Sequence, residues 1–237
     1  MKAHATISVA LLPMLAALTL LPQQSQNSPL DSVLKKMDET AASFRTAQAD
    51  FEWDRYEKVI DEVDDVQSGT IYYRRIGKDG KEVEMKADIT KPDRKYVLFS
   101  GGKIQMYLPK PDQLTVYDAG RNRSDFETYL VLGFGGSGHD LMKAFDVTYM
   151  GPETINGVAT AKLQLVPKSE KVRGTFKQIL LWIDLANGIS EQQQFIEPQG
   201  DYRLAKYSSV QVNGKKIPDD VFKLKTTSKT QTISPHG

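Results

Sequence analysis

Residues 147–167 read VTYMGPETINGVATAKLQLVP, and this stretch decides the fold. Two strand-like runs, 147–155 and 159–167, stand on either side of the dipeptide Asn156-Gly157. Asparagine followed by glycine supplies the positive φ angles that a two-residue hairpin turn requires. The stretch therefore predicts an antiparallel β-hairpin.

The same turn chemistry recurs along the chain from Gly69 onward. Four pairs separate strand-like runs: Asp79-Gly80, Asn156-Gly157, Asn187-Gly188 and Asn213-Gly214. Such spacing predicts a large antiparallel sheet in which neighbouring strands pair in order. The strand candidates are 47–56, 70–75, 82–90, 95–100, 103–109, 113–118, 147–155, 159–167, 175–185, 190–197, 202–212 and 222–226.

Helical segments interrupt the β pattern in two places. Before the first strand, apolar residues recur at helical spacing: Leu30, Val33, Leu34, Met37, Ala41 and Phe44. Ser28 is the predicted N-cap, with Pro29 in the first turn and Asp31 completing a capping box. A second amphipathic segment, 125–145, contains two short helix-like pieces around a glycine run. A mostly β fold follows, with a strongly curved sheet whose apolar face is covered by these helices.

The first 25 residues have the pattern of a secretory signal peptide. Lys2 precedes an apolar run from Ile7 to Leu21, and the chain turns polar after Pro22. A run of about 15 apolar residues is short for a membrane span and normal for an export signal. We expect cleavage within 22–28, one domain over 26–226 and a polar, disordered tail over 227–237. An uncleaved N-terminal anchor is the alternative.

Charge and cysteine content exclude several classes of function. The chain has 31 Lys+Arg against 30 Asp+Glu, a formal net charge of +1. This balance gives no basic excess for binding nucleic acid. With no cysteine in the sequence, disulfides, thiolate catalysis, cysteine metal sites and acylation of the kind that bacterial lipoproteins carry are all excluded.

Catalytic motifs are weak. Residues 133–138 match the dinucleotide pattern G-x-G-x-x-G, but hairpin-connected flanks do not provide the βαβ unit that this site needs. A flexible hinge within a helical lid is the favoured interpretation. His139 and His236 are expected to be surface residues, while Asp184 and the pair Asp219-Asp220 are expected to be solvated acids. We therefore predict no enzyme activity, no metal and no cofactor.

Apolar side chains alternate along many of the predicted strands, as expected for strands with one buried face. An ordinary barrel or sandwich core would show the same alternation, but the mixture of methionine and aromatic residues is typical of adaptable binding surfaces. The candidate groove residues are Phe51, Trp53, Ile71, Tyr73, Met85, Ile89, Ile104, Met106, Leu108, Leu163, Leu165, Ile179, Leu181 and Ile183.

The order of these elements resembles the LolA-type periplasmic carriers of outer-membrane lipoproteins. The resemblance spans nearly the whole chain after the signal. It rests on the helix LDSVLKKM (30–37), GTIYYRR (69–75), SGGKIQMYLP (100–109), LQLVPK (163–168), QILLWID (178–184), YSSVQVN (207–213) and IPDDVF (217–222).

The resemblance implies an unclosed half barrel whose apolar concave face is covered by lid helices. It implies a soluble, monomeric periplasmic shuttle that takes acylated lipoproteins from an inner-membrane ABC-type releasing complex towards an outer-membrane acceptor. The family's lid-latching arginine corresponds to Arg75, although Ile76 replaces the usual following proline and Arg74 stays an alternative. The lid corresponds to 125–145, and its apolar residues are Leu130, Leu132, Phe134, Leu141 and Phe145.

Two other functions are compatible with the sequence. One is a periplasmic lipid- or lipoprotein-binding sensor on the same scaffold, although such sensors usually carry a second C-terminal domain. The other is an exported hydrolase, for which the sequence offers no convincing catalytic set.

Overall fold

A computed structural model describes residues 28–77, 82–118, 120 and 132–235 of the chain. A single twelve-stranded sheet dominates it. The strands are β1 (Thr46–Glu57), β2 (Glu62–Ile76), β3 (Glu82–Lys91), β4 (Lys95–Ser100), β5 (Lys103–Leu108), β6 (Gln113–Asp118), β7 (Phe145–Ile155), β8 (Val158–Pro167), β9 (Gln178–Asp184), β10 (Ser190–Ile196), β11 (Tyr202–Val212) and β12 (Gln231–Ile233).

The strands lie in the order β12-β6-β5-β4-β3-β2-β1-β11-β10-β9-β8-β7. All neighbours pair antiparallel except β12 and β6, which pair parallel. Pairing in chain order is confirmed within β1–β6 and within β7–β11, and the two halves join through β1 and β11. Because β7 and β12 stand at opposite ends of the order, the sheet is unclosed, as the sequence predicted.

Three helices among the described residues accompany the sheet: α1 (Pro29–Ser43), α2 (Gly138–Ala144) and α3 (Glu170–Arg173). The predicted capping box of α1 is present, since Ser28 Oγ accepts from Asp31 N and the Asp31 carboxylate accepts from Ser28 N. The apolar stripe of α1 is buried. No helix among the described residues is long and apolar enough to cross a membrane.

The face of the sheet that α1 covers, called here the inner face, carries two apolar clusters. The first contains Phe44, Ala47, Ala49, Phe51, Ile71, Tyr73, Met85, Ala87, Ile89, Phe99, Phe134, Ile189, Ala205 and Tyr207. The second, beneath α1 and α2, contains Val33, Met37, Leu132, Leu141, Phe145, Ala161, Leu163, Leu165, Ile179, Leu181 and Ile183.

The segment after β11 differs from the expectation. Residues 222–226, predicted as a strand, are not one; Phe222 is buried with Ile217 and Leu98 against the outer face. The Arg74 guanidinium lies 4.2 Å from the centroid of the Phe222 ring. Packing across the strands, rather than pairing with them, explains why a strand-like pattern forms no strand.

The tail also differs from the disordered segment that the sequence predicted. Residues 231–233 form β12 on the free edge of β6. The hydroxyls of Thr227 and Thr230 donate to the carboxylate of Asp112, at 2.5 and 2.6 Å. These hydrogen bonds fix the approach to β12, and together with the preceding residues they make 214–233 a strap over the outer face.

The turn dipeptides have different outcomes. Asn156-Gly157 and Asn187-Gly188 connect paired strands as predicted, whereas Asp79-Gly80 lies outside the described residues. Asn213-Gly214 makes no hairpin. Instead, Asn213 joins the end of β11 to the start of β1, because its Oδ1 accepts from Arg45 N and its backbone N donates to Thr46 O at 2.8 Å.

Candidate functional site

The inner face contains an open cavity of about 540 Å³ between the two halves of the sheet. This volume is within the range of about 300–1,000 Å³ that small-molecule sites occupy. Its apolar lining, called here the groove, is Trp53, Ile71, Tyr73, Met85, Phe176, Phe195, Leu204, Ala205 and Tyr207. Polar residues at its edge, called the mouth, are Asp54, Arg55, Asp65, Gln67, Lys95 and Arg203.

The fourteen candidate groove residues are distributed over several environments. Trp53, Ile71, Tyr73 and Met85 line the cavity. Phe51 and Ile89 are buried in the same cluster, and Ile104 packs against it. Leu163, Leu165, Ile179, Leu181 and Ile183 form the second cluster instead, where α1 and α2 cover them. Met106 and Leu108 are partly exposed and belong to neither cluster.

Sequence reasoning missed part of the lining. Phe176 and Phe195 face each other with ring centroids 5.3 Å apart, and Ala205 and Tyr207 alternate on β11. Phe195 follows a run of three glutamines, which reads as a polar strand and obscures its inward position. The alternation of Ala205 and Tyr207 was visible and is the signal that could have found them.

Residues 132–137, called the lid segment, close one end of the groove. Phe134 is fully buried there, stacked on Tyr73 with centroids 4.8 Å apart and edge-on to Tyr207 at 4.6 Å. Burial raises the pKa of both the Tyr73 and Tyr207 phenols, so both remain neutral. The aromatic contact therefore fills this end with an apolar ring and no charge.

Arg75 holds the lid segment from β2. Its Nη2 donates to the Gly135 carbonyl at 2.7 Å, and its guanidinium lies 5.7 Å from the Phe44 ring centroid. Burial, with the nearby Arg45 charge, lowers the pKa of Arg75. Arg74 points away: it pairs with Glu84 at 2.6 Å and with Asp219 at 2.5 Å. Among the described residues, Arg75 is the arginine of this pair that contacts the lid segment.

Strand β10 supplies further contacts that the sequence did not reveal. Gln193 Nε2 donates to the Leu132 carbonyl, and Ser190 N donates to the Gly133 carbonyl at 2.8 Å. Tyr207 Oη donates to Gln193 Oε1 at 3.2 Å. The sequence gives no clear signal for this network, because Ser190 and Gln193 belong to a stretch that is polar from 190 to 194.

The glycine run is closely packed rather than a loose hinge. Gly133 and Gly135 have φ angles of +72° and +79°. A Cβ on Gly135 would lie 2.4 Å from the Phe44 ring, and one on Gly138 would lie 2.4 Å from the Leu34 carbonyl. Glycine is needed here because the lid backbone approaches α1 more closely than any side chain would permit.

Asp38 joins α1 to the start of α2. Its carboxylate accepts from Ser137 Oγ at 2.6 Å and from His139 N at 3.2 Å, and it pairs with the His139 ring. Burial acts to raise the pKa of Asp38, but these hydrogen bonds outweigh it and hold the pKa below its usual value. His139 is exposed as predicted, and its ring contact with Asp38 is a helix–helix contact.

Three of the four remaining predicted lid residues are buried, and the fourth lies outside the described residues. Leu132, Leu141 and Phe145 are buried in the second cluster, whereas Leu130 lies outside the described residues. Within the described part of the chain, no three acidic or histidine side chains group in a way that could hold a metal ion.

One acid departs from the sequence-based expectation. Asp184, expected to be solvated, is buried at the end of β9, where its carboxylate accepts from Ala186 N at 2.7 Å. This hydrogen bond closes the turn between β9 and β10, which gives the carboxylate a structural role. His236 lies outside the described residues.

Comparisons with known proteins find likeness in structure alone. No family model and no curated protein matches the chain. An uncharacterized conserved protein from Thermus thermophilus matches with a TM-score of 0.54 at 11% identity, over 86% of this chain and 97% of that one. In the Pseudomonas aeruginosa MucA/MucB complex, the match has a TM-score of 0.51 at 14% identity, over 86% of this chain and 63% of that one.

This chain therefore spans less than two thirds of the length of that relative. Matching structures also include a LolA superfamily protein from Nitrosomonas europaea, with a TM-score of 0.40 at 14% identity over 82% of this chain and 97% of that one. At such identities the likeness concerns the fold and nothing finer. The architecture itself, a mostly β, unclosed sheet with helices on one face, is the one that the sequence predicted.

Proposed function

We propose that this protein is a soluble periplasmic carrier that binds the acyl chains of lipoproteins released from the inner membrane and shuttles them towards the outer membrane. The observation that carries the proposal is the apolar groove of about 540 Å³ on the inner face, open at its mouth and closed at the other end by the lid segment. Such a groove accepts an alkyl chain along its length, and the polar mouth accommodates the head group.

The energetics of an acyl chain explain why a carrier needs such a groove. Burying alkyl chain contributes about 0.8 kcal/mol per CH₂, so a sixteen-carbon chain with about 14 methylenes gains about 11 kcal/mol. Because of this cost, an acyl chain leaves a membrane for water too slowly for transport. A dry groove lined by Trp53, Phe176 and Phe195 removes this penalty during transit.

The lid segment supplies a means of regulating affinity. Phe134 occupies apolar space beside Tyr73 and Tyr207 that an incoming chain would otherwise fill. Cargo and Phe134 therefore compete for the same apolar surface. Because cargo makes more contacts with the open form than with the closed form, its binding shifts the equilibrium towards the open form. In this proposal Arg75 sets the closed-state stability through Gly135, so that binding stays weaker than at the final acceptor.

A second candidate is a binding module that senses lipid or protein on the same scaffold. The observation favouring it is that the similar MucB chain was solved in complex with MucA. In that case the groove would receive a ligand without delivering it.

Mass spectrometry of lipid extracted from the purified protein tests the binding step. We expect acyl species in the wild type and their loss in Ala205→Phe, which fills the groove. Ala159→Phe, on the exposed side of β8, is the matched control and should keep its lipid. A lipid-free wild type that turns over simple esters would support the hydrolase instead.

Cross-linking in cells then separates carrier from sensor. A carrier should form adducts with the inner-membrane releasing complex during cargo transfer. Retention of cargo with no transfer to membranes would favour the sensor.

A further inference from the structure

The end of the β1–β2 hairpin displays apolar side chains to solvent. Val59 is 95% exposed, Ile60 52%, Val63 48% and Val66 46%. Together they lie within residues 57–66, called here the hairpin tip. Four exposed apolar side chains within ten residues make this hairpin end a candidate interaction surface.

Contacts at its base hold the hairpin tip in place. The Tyr56 ring stacks on Tyr202 with centroids 4.6 Å apart, and Tyr56 Oη donates to the Asp61 carboxylate. Lys58 N donates to Asp201 Oδ1 at 2.9 Å. The exposed valines therefore belong to an ordered hairpin, and a partner that binds them meets a surface already in its bound shape.

The hairpin tip is next to the mouth of the groove. Asp65 belongs to both, since it lines the cavity and stands opposite Arg55, another residue of the mouth, in the pairing of β1 with β2. Any partner bound to the tip is consequently positioned at the opening through which a ligand enters or leaves.

The charge of the hairpin tip distinguishes between a membrane surface and a protein as its partner. Residues 57–66 contain five acidic side chains and one lysine. Anionic lipid head groups would be repelled by this charge. A protein surface whose apolar pocket is bordered by Lys and Arg would be attracted, and steered to the right orientation.

We propose that the hairpin tip is a docking surface for a protein partner with an apolar pocket bordered by basic side chains. Val59 and Ile60 enter the pocket, while Glu62 and its acidic neighbours face the basic border. Docking itself is independent of what the groove carries; only its use for acyl transfer rests on the proposed function.

Photo-cross-linking in the native host tests the docking. A photoreactive benzoylphenylalanine replaces Val59, and the same residue at Met150, which is exposed on β7, serves as the positional control. We expect a discrete protein adduct from position 59 alone, lost when Glu62→Lys is added. The adduct protein is identified by mass spectrometry and purified.

Affinity of the purified partner completes the test. Val59→Ser with Ile60→Ser should weaken its Kd at least tenfold, and Glu62→Lys should weaken it and reduce the salt dependence of binding. Met150→Ser should change neither. Equal adducts from positions 59 and 150, or an unchanged Kd in the double variant, would overturn the proposal.

A membrane partner is tested with the same variants. Vesicles of phosphatidylethanolamine and phosphatidylglycerol should not co-sediment with the protein. Sedimentation that depends on Val59 and Ile60 would overturn the protein-docking proposal in favour of a lipid surface. Lipid extracted from Val59→Ser/Ile60→Ser should equal that from the wild type, so a failure of docking is distinguishable from a failure of the groove.

Discussion

Arg74 and Arg75 are adjacent on β2, yet their guanidinium groups serve opposite faces of the sheet. Arg75 donates to the Gly135 carbonyl of the lid segment. Arg74 pairs with Glu84 and Asp219 and lies over the ring of Phe222 in the outer strap. Alternation along a strand makes this separation inevitable. A change at Arg74 is therefore a matched control for the same change at Arg75.

Replacing Arg75 by Leu should open the lid segment without unfolding the sheet. The change removes a hydrogen bond from a charged donor, which contributes about 1.5–3 kcal/mol. We expect faster hydrogen exchange over 132–137 and a changed rate of uptake of a fluorescent fatty-acyl probe. Arg74→Leu should also reduce the free energy of unfolding but leave exchange in the lid unchanged. Identical lid exchange in both variants would contradict the role assigned to Arg75.

At this scale the sequence predicted some contacts and could not predict others. The contact of Arg75 with the lid could be predicted because the sequence resembles a known family. The hydrogen bond of Gln193 to Leu132, 61 positions away, was not available, because nothing local in a glutamine-rich strand indicates which carbonyl it will meet. The same is true of Ser190.

Among the structural elements, the lid segment is held against the groove by one buried side chain, that of Phe134. Phe134 occupies the end of the groove, so Phe134→Ala should cost about 3–5 kcal/mol of unfolding free energy, as buried Phe→Ala changes do. It should also tighten binding of a fatty-acyl probe, because cargo no longer displaces a ring. Phe99→Ala removes an equally buried ring from the same cluster on β4 and should lose stability without gaining affinity.

The contact between α1 and α2 should depend on pH through Asp38. The pKa of this carboxyl is lower in the folded protein than its ordinary value of about 3.9. Its contribution to stability is therefore present above about pH 4 and is lost as pH falls through the lower folded pKa.

Asp38→Asn should consequently reduce the unfolding free energy at pH 6 by about 1 kcal/mol, the worth of a typical hydrogen bond. The difference from wild type should shrink towards pH 3, as measured by urea denaturation at each pH. Glu39→Gln, at a more exposed position on the same helix, should show a smaller difference at pH 6. A constant difference across the pH range would exclude the proposed contribution of the carboxylate charge.

Elements defined by local chemistry were predictable, and elements defined by distant packing were not. The capping box of α1 and the turns at Asn156 and Asn187 depend on residues a few positions apart. Residues 222–226 have the alternation of a strand, but apolar contacts with Leu98 on the outer face determine their path. The short β12 exists because an edge is available at β6, which the tail sequence alone cannot reveal.

Over the whole molecule, the strap determines whether the β6 edge is exposed. Truncation after Thr226 removes β12 and the threonine contacts with Asp112. Unpaired strand edges promote association, so we expect oligomers or aggregates in size-exclusion chromatography with light scattering. Truncation after Ile233 keeps β12 and should stay like the full chain. Equal behaviour of the two truncations would show that β12 does not protect the edge.

Pairing of β1 with β11 determines when the molecule can fold. Ala47 stands opposite Val212 at the centre of the sheet. The first strand to be synthesised, β1, therefore cannot pair with β11 until nearly the whole chain has been made. Contacts between such distant positions are slow to form, because the long loop between them must close first. Until β11 arrives, β1 has an open edge beside a finished set of strands. The sheet is therefore completed only after nearly all of the chain has been made, and until then the half-made sheet exposes an edge that is prone to association.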